Sequence, residues 1–91
     1  MMFTKKLRGP VMRGEVTTSI RIWQSPRVKV GGRYPLGLGH VRVTAIREMA
    51  LSDITPQMAR ESGFEGVVDL LKIAKHGRGT RVFLVEFEYE E

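Results

Sequence analysis

The residues best suited to chemistry lie in one short run and at one distant position. Ser19, Arg21 and Trp23 alternate within residues 16–23, VTTSIRIW, and Glu61 follows much further along the chain. A hydroxyl, a guanidinium and an indole on one strand face suit binding better than reaction. Arginine grips a phosphate through a planar fork, tryptophan stacks on a flat ring, and serine donates or accepts a hydrogen bond. Ser19 becomes a nucleophile only with a base beside it, and otherwise it bonds a ligand or pairs across the sheet. Glu61 has two readings. It binds a base amino group or moves a proton, in which case an apolar cleft raises its pKa, or it is a surface carboxylate paired with Arg60 or Lys72. Trp23 also has two, a stacking platform or a core aromatic.

Cations form the second set. Residues 1–34 hold eight Lys or Arg and one acid, a net of +7, whereas residues 35–91 hold seven and nine, a net of −2. Lys5, Lys6, Arg8, Arg13 and Lys29 belong to the basic half and form a candidate phosphate-facing patch. Segregated positive charge implies a polyanion partner, because each cation that meets a phosphate releases a condensed counterion. A further basic cluster, KHGRGTR at 75–81, is a candidate backbone clamp or a solvated connection.

Other chemistries have few residues to draw on. The chain has no cysteine, which removes disulfides, thiol catalysis and cysteine-ligated metals. His40 and His76 are the two histidines, and neither stands in a metal-binding spacing, so no metal and no cofactor are expected. His40 is read as facing the cleft and His76 as a charge near a helix end. Gly31-Gly32 is read as a turn, since RYPLG follows it rather than a helix N-terminus that could cradle a phosphate. The absence of a long apolar run predicts a cytoplasmic protein without a membrane span.

The elements that must position these residues follow from periodicity. The length of 91 residues predicts a single domain with one core. Residues 3–13 suggest one or two turns of helix, interrupted at Gly9-Pro10. Residues 16–23 read as a strand with Ile20 and Ile22 on one face and Ser19, Arg21 and Trp23 on the other. Residues 27–30 and the neighbourhood of Tyr34 read as short strands. Residues 40–48 alternate again, with Val41, Val43 and Ala45 pointing one way and His40, Arg42 and Thr44 the other. Thr55-Pro56 signals the start of a helix over about 56–61. Ser62 and Glu65 have capping-box spacing for a second helix, with Phe64, Val67, Val68 and Leu71 on one face and Lys75, His76 and Gly77 at its end. Residues 80–89 form the last strand, and the unbroken apolar run Val82–Val85 makes it central. This order predicts an α+β fold, a small, mostly antiparallel barrel with two to three short helices packed against it.

The whole order resembles a known family. A basic segment ends in Gly14, a strand reads Thr17-Thr18-Ser19-Ile20-Arg21, and a turn falls at Gly32. A strand follows, then a helix ending Ala59-Arg60-Glu61-Ser62-Gly63-Phe64, a second helix, and a strand ending Phe87. This is similar to the ASCH domain (activating signal cointegrator homology), part of the PUA-like superfamily. The resemblance implies a PUA-like β-barrel with a cleft between barrel and helices, binding RNA or a nucleotide, with Arg21 in the cleft. It also implies an alternative as a hydrolase, either a ribonuclease or an N4-acetylcytidine amidohydrolase acting through Lys, Thr and Glu. The threonine falls on Ser19, the glutamate on or beside Glu61, and the lysine on Val16, which can neither take a proton nor activate a hydroxyl.

Binding therefore stands ahead of catalysis. The expected partner is single-stranded or looped RNA, or a nucleotide, with phosphates on the basic surface and a base in the cleft. A protein partner ranks below it, and the expected state is a monomer or weak dimer.

Overall fold

Runs rich in β-branched and aromatic residues form the four strands of one antiparallel sheet in the computed structural model, which describes residues 3–74 and 81–91. They are β1 (Thr18–Trp23), β2 (Arg33–Leu36), β3 (Gly39–Met49) and β4 (Arg81–Glu90), in the order β1-β4-β3-β2. The sheet curls into a half-barrel. Three helices, α1 (Lys5–Met12), α2 (Pro56–Glu61) and α3 (Val67–Ala74), pack against it, and a 3₁₀ turn spans Leu51–Asp53. This is the small antiparallel α+β architecture that the sequence predicts.

The sheet has an apolar cluster on each face. Phe83, Val85 and Phe87 of β4 join Val41 and Val43 of β3, Trp23 of β1 and the α1 residues Leu7 and Val11 on one side. Ile20 and Ile22 of β1 and Val82 of β4 meet Ile54, Ala59 and Leu70 on the other, beneath α2 and α3. That double cover explains the apolar run Val82–Val85: this part of β4, the interior strand between β1 and β3, is covered on both faces, whereas Glu86, Glu88 and Glu90 follow beyond the helices.

Several local expectations change in the folded chain. α1 runs through Gly9-Pro10 without stopping. Proline removes one amide and disfavours the helix, so the burial of Leu7 and Val11 sustains it rather than intrinsic propensity. Residues 27–30 form no strand. Val28 is buried, and the chain is pinned to β3 by the Gly31 amide on the Val43 carbonyl and the Val43 amide on the Gly32 carbonyl. A bulge between Val43 and Ala45 shifts the pairing. Ala45 then lies opposite Glu86 on the charged face and Ile46 opposite Val85 on the apolar face, the reverse of simple alternation.

The helical region follows its first signal and departs from its second. Thr55 caps α2 as expected, its Oγ1 accepting the Met58 amide at 3.1 Å with Pro56 at the first helical position. Ser62 and Glu65 form no capping box. Ser62 closes α2 instead, and Gly63 takes a φ of 89° so that the Phe64 amide reaches the Ala59 carbonyl at 2.9 Å. The Glu65 amide is taken by the Asp69 carboxylate at 3.2 Å. Lys75, His76 and Gly77, expected at the end of this helix, lie outside the described residues. Among the described residues no helix is long and apolar enough to cross a membrane.

Candidate functional site

Alternation along β1 sends Ser19, Arg21 and Trp23 to the side where α1 packs, opposite Val85, Phe83 and Arg81 of β4. This face is closed. Ser19 and Arg21 are only 6% and 9% exposed. Arg21 Nε donates to Ser19 Oγ at 2.7 Å, and its guanidinium carbon lies 5.2 Å from the centre of the Phe3 ring. The contacts are a charge-assisted hydrogen bond and a cation–π pair, both strengthened by exclusion of water. Burial pushes the Arg21 pKa down to about 10, so the side chain stays charged at neutral pH.

Trp23 is a core residue. It is 3% exposed, and its ring sits 5.9 Å from that of Phe83 at a tilt of 37°. Stacking on a base needs an open ring face, so the structure corrects the expectation that Trp23 meets a ligand.

Glu61 stands apart from this pair. It is exposed and accepts Gln57 Nε2 at 3.0 Å, one turn back on α2. Its neighbour Ser62 is the residue that turns inward, with Oγ 3.1 Å from Thr18 Oγ. Thr18 and Ser19 are successive and point to opposite faces of the sheet, and α2 packs on the face of Ile20 and Ile22. The chain thus brings the 61–62 region beside β1, but through Thr18 and Ser62. Ser19, Arg21 and Glu61 do not converge on one pocket. The nearest charged partner of Ser19 is a guanidinium, which is a poor base.

The cations divide into two kinds. The arginines of β3 and β4 are matched with carboxylates. Arg42 lies 2.8 Å from Glu88 and 3.2 Å from Glu90, Arg47 is 3.3 Å from Glu86, and Arg81 is 2.8 Å from Glu48. His40 does not face a cleft: its Nε2 lies 3.1 Å from Glu90 Oε1, which helps hold that carboxyl below its ordinary range. Of the 75–81 cluster, only Arg81 is among the described residues, and it is held by Glu48.

The N-terminal cations are mostly unmatched. Leu7 and Val11 turn α1 toward the core, which leaves Lys5, Lys6 and Arg8 exposed. Arg27 and Lys29 project on either side of buried Val28, and the Lys29 amide is fixed by the Tyr34 hydroxyl at 3.0 Å. Lys5, Arg8, Arg27, Lys29 and Arg33 have no carboxylate partner among the described residues. Lys6 approaches Glu65 loosely at 3.9 Å, with both side chains largely exposed. Arg13 is a true exception, bound to Glu15 at 2.6 Å. Arg27 is the addition that the structure makes to the patch, and its signal was the alternation Arg27-Val28-Lys29.

Layering keeps the two charge systems apart. Phe3, Leu7, Val11 and Val28 share one core cluster, so α1 and the 27–29 segment flank the same side of the sheet. Glu86, Glu88 and Glu90 alternate with Val85, Phe87 and Tyr89 and therefore face the other way. The glutamates of β4 therefore lie on the opposite side of the sheet from Lys5, Arg8, Arg27 and Lys29. No family model matches the chain, and neither a curated protein nor a solved structure does.

Proposed function

We propose that this chain is a cytoplasmic RNA-binding module of the ASCH type, a PUA-like domain whose basic surface holds phosphates. The observation that carries this reading is the division of the cations. The arginines of β3 and β4 are neutralised by neighbouring glutamates, whereas Lys5, Arg8, Arg27 and Lys29 stand exposed with no carboxylate partner among the described residues. Self-repulsion among unmatched cations costs stability, and a bound polyanion offsets that cost. The half-barrel with short helices supports the PUA-like assignment. Binding stays ahead of hydrolysis because Val16 stands where the related amidohydrolases have lysine and because the Ser19 hydroxyl is engaged by Arg21.

The test is a salt titration of binding to fluorescently labelled RNA. Four phosphate contacts predict a slope of log K against log salt of about −2.8 on a single strand or about −3.6 on a duplex, falling to roughly half that in Lys5→Ala/Arg8→Ala or in Arg27→Ala/Lys29→Ala. Arg47→Ala, which removes a cation already matched by Glu86, leaves the slope unchanged. An affinity indifferent to salt rejects the proposal.

A further inference from the structure

The way the aromatic residues are used bears on which form of RNA the surface fits. A protein that grips single strands supplies exposed rings on which unpaired bases stack. The sequence has seven aromatic residues, and every one is committed to the core. Phe3, Trp23, Phe83 and Phe87 are buried. Tyr34, Phe64 and Tyr89 are half-buried against the same clusters. The two tyrosine hydroxyls are also engaged: Tyr34 accepts the Lys29 amide, and Tyr89 donates to the Leu36 carbonyl and accepts the Gly39 amide. Among the described residues no phenylalanine, tyrosine or tryptophan ring is left as an open platform. The side chains proposed to meet the ligand are Lys5, Arg8, Arg27 and Lys29, all exposed and all suited to phosphate oxygens.

We infer that the RNA held by this surface is base-paired, and that it is recognised through its phosphate backbone without readout of the bases. The inference rests on the proposed RNA binding and specifies its target. A duplex hides its bases and presents phosphates at twice the linear density of one strand, so a surface with cations and no rings gains from pairing. The expectation of single-stranded RNA placed an unpaired base in a cleft beside Arg21, Trp23 and Glu61, and the Trp23 ring lies in the core.

The experiment uses the full chain and two labelled probes, an RNA hairpin with a stem of about 16 base pairs and an unstructured oligouridine of equal phosphate number. Counterion release differs by roughly 0.2 log unit per phosphate between duplex and single strand for each tenfold change in salt. Over four contacts, with equal affinities at about 1 M salt, this makes the hairpin about tenfold tighter at roughly 50 mM salt. Changing the stem sequence leaves the affinity unchanged. Arg47→Ala, at a cation already matched by Glu86, also leaves it unchanged within about twofold. Equal or tighter binding to oligouridine overturns the inference and leaves RNA binding standing, as does an affinity that changes more than about tenfold with the stem sequence. Salt-independent binding, or none, to both probes removes the underlying proposal and this inference with it.

Discussion

Replacing Ser19 by alanine tests whether the β1 hydroxyl organises the core or serves a reaction. Its Oγ accepts Arg21 Nε at 2.7 Å, and both residues are almost wholly shielded from water. Arg21 remains charged at neutral pH, since burial lowers its pKa only to about 10. Removing the acceptor strips a buried charged donor of one partner, and hydrogen bonds to charged groups are worth about 1.5–3 kcal/mol. In a chain of this length a loss of about 2 kcal/mol lowers the thermal midpoint by roughly 8–16 °C. The decisive measurement is a double-mutant cycle with Arg21→Met, which keeps an unbranched stem and removes the guanidinium. In that background Ser19→Ala costs nothing or stabilises slightly, because the hydroxyl has lost its charged donor. The coupling energy should therefore equal nearly the whole single-mutant cost. Urea denaturation gives all four free energies. A Ser19→Ala cost below about 0.5 kcal/mol, or the same cost in both backgrounds, refutes the organising role assigned to this bond.

Three further outcomes follow from the same geometry. Trp23 is the single tryptophan and lies in the core, so its fluorescence should be blue-shifted and should not be quenched on adding RNA; strong quenching by saturating RNA contradicts its core assignment. Glu90 is held below the ordinary carboxylate range by its hydrogen bond with His40 and by Arg42. A depressed folded pKa means that its stabilising share is complete above the unfolded value near 4.5 and is lost as pH falls through the folded one, so Glu90→Gln should flatten the decline of stability at acid pH in a series of urea titrations. Gly63 has a φ of 89°, and a Cβ there would press on the Leu7 side chain, so Gly63→Ala should cost more than about 1 kcal/mol in thermal unfolding.

The sequence shows which residues share a face much better than it shows whether that face is open. Alternation correctly groups Ser19, Arg21 and Trp23, and it separates them from Ile20 and Ile22. Arginine and serine nevertheless suggested a solvent-facing cleft, whereas α1 covers that face and makes it core. The covering helix was hard to read because Gly9-Pro10 sits inside it and its stability is tertiary. The α2 start was legible because its signal is local, a threonine oxygen three residues from the amide it accepts. The Ser62–Glu65 spacing was also local, yet burial of Ser62 against Thr18 overrode it. The bulge at Val43/Ala45 has no local signature, and it inverts the facing of everything after it on β3. Charge segregation was legible as composition. Which cations are neutralised depends on the cross-strand register of β3 and β4, which only the fold supplies.

These points bear together on why recognition here falls to flexible cations. A domain of this size hides a smaller share of its surface than a large one does, so each big apolar side chain matters to its core. A sheet with apolar clusters on both faces takes all seven aromatic rings and also draws in a guanidinium, with Ser19 and Phe3 beside it. No sheet face then remains as a rigid platform for stacking. The remaining binding groups are long charged side chains around the edge of the fold, on α1 and on the loop before β2. Lysines and arginines on mobile stems meet phosphates well and discriminate bases poorly. The burial of Trp23 and the exposure of Lys5, Arg8, Arg27 and Lys29 therefore have one cause: a small core that needs its rings leaves the surface to charge.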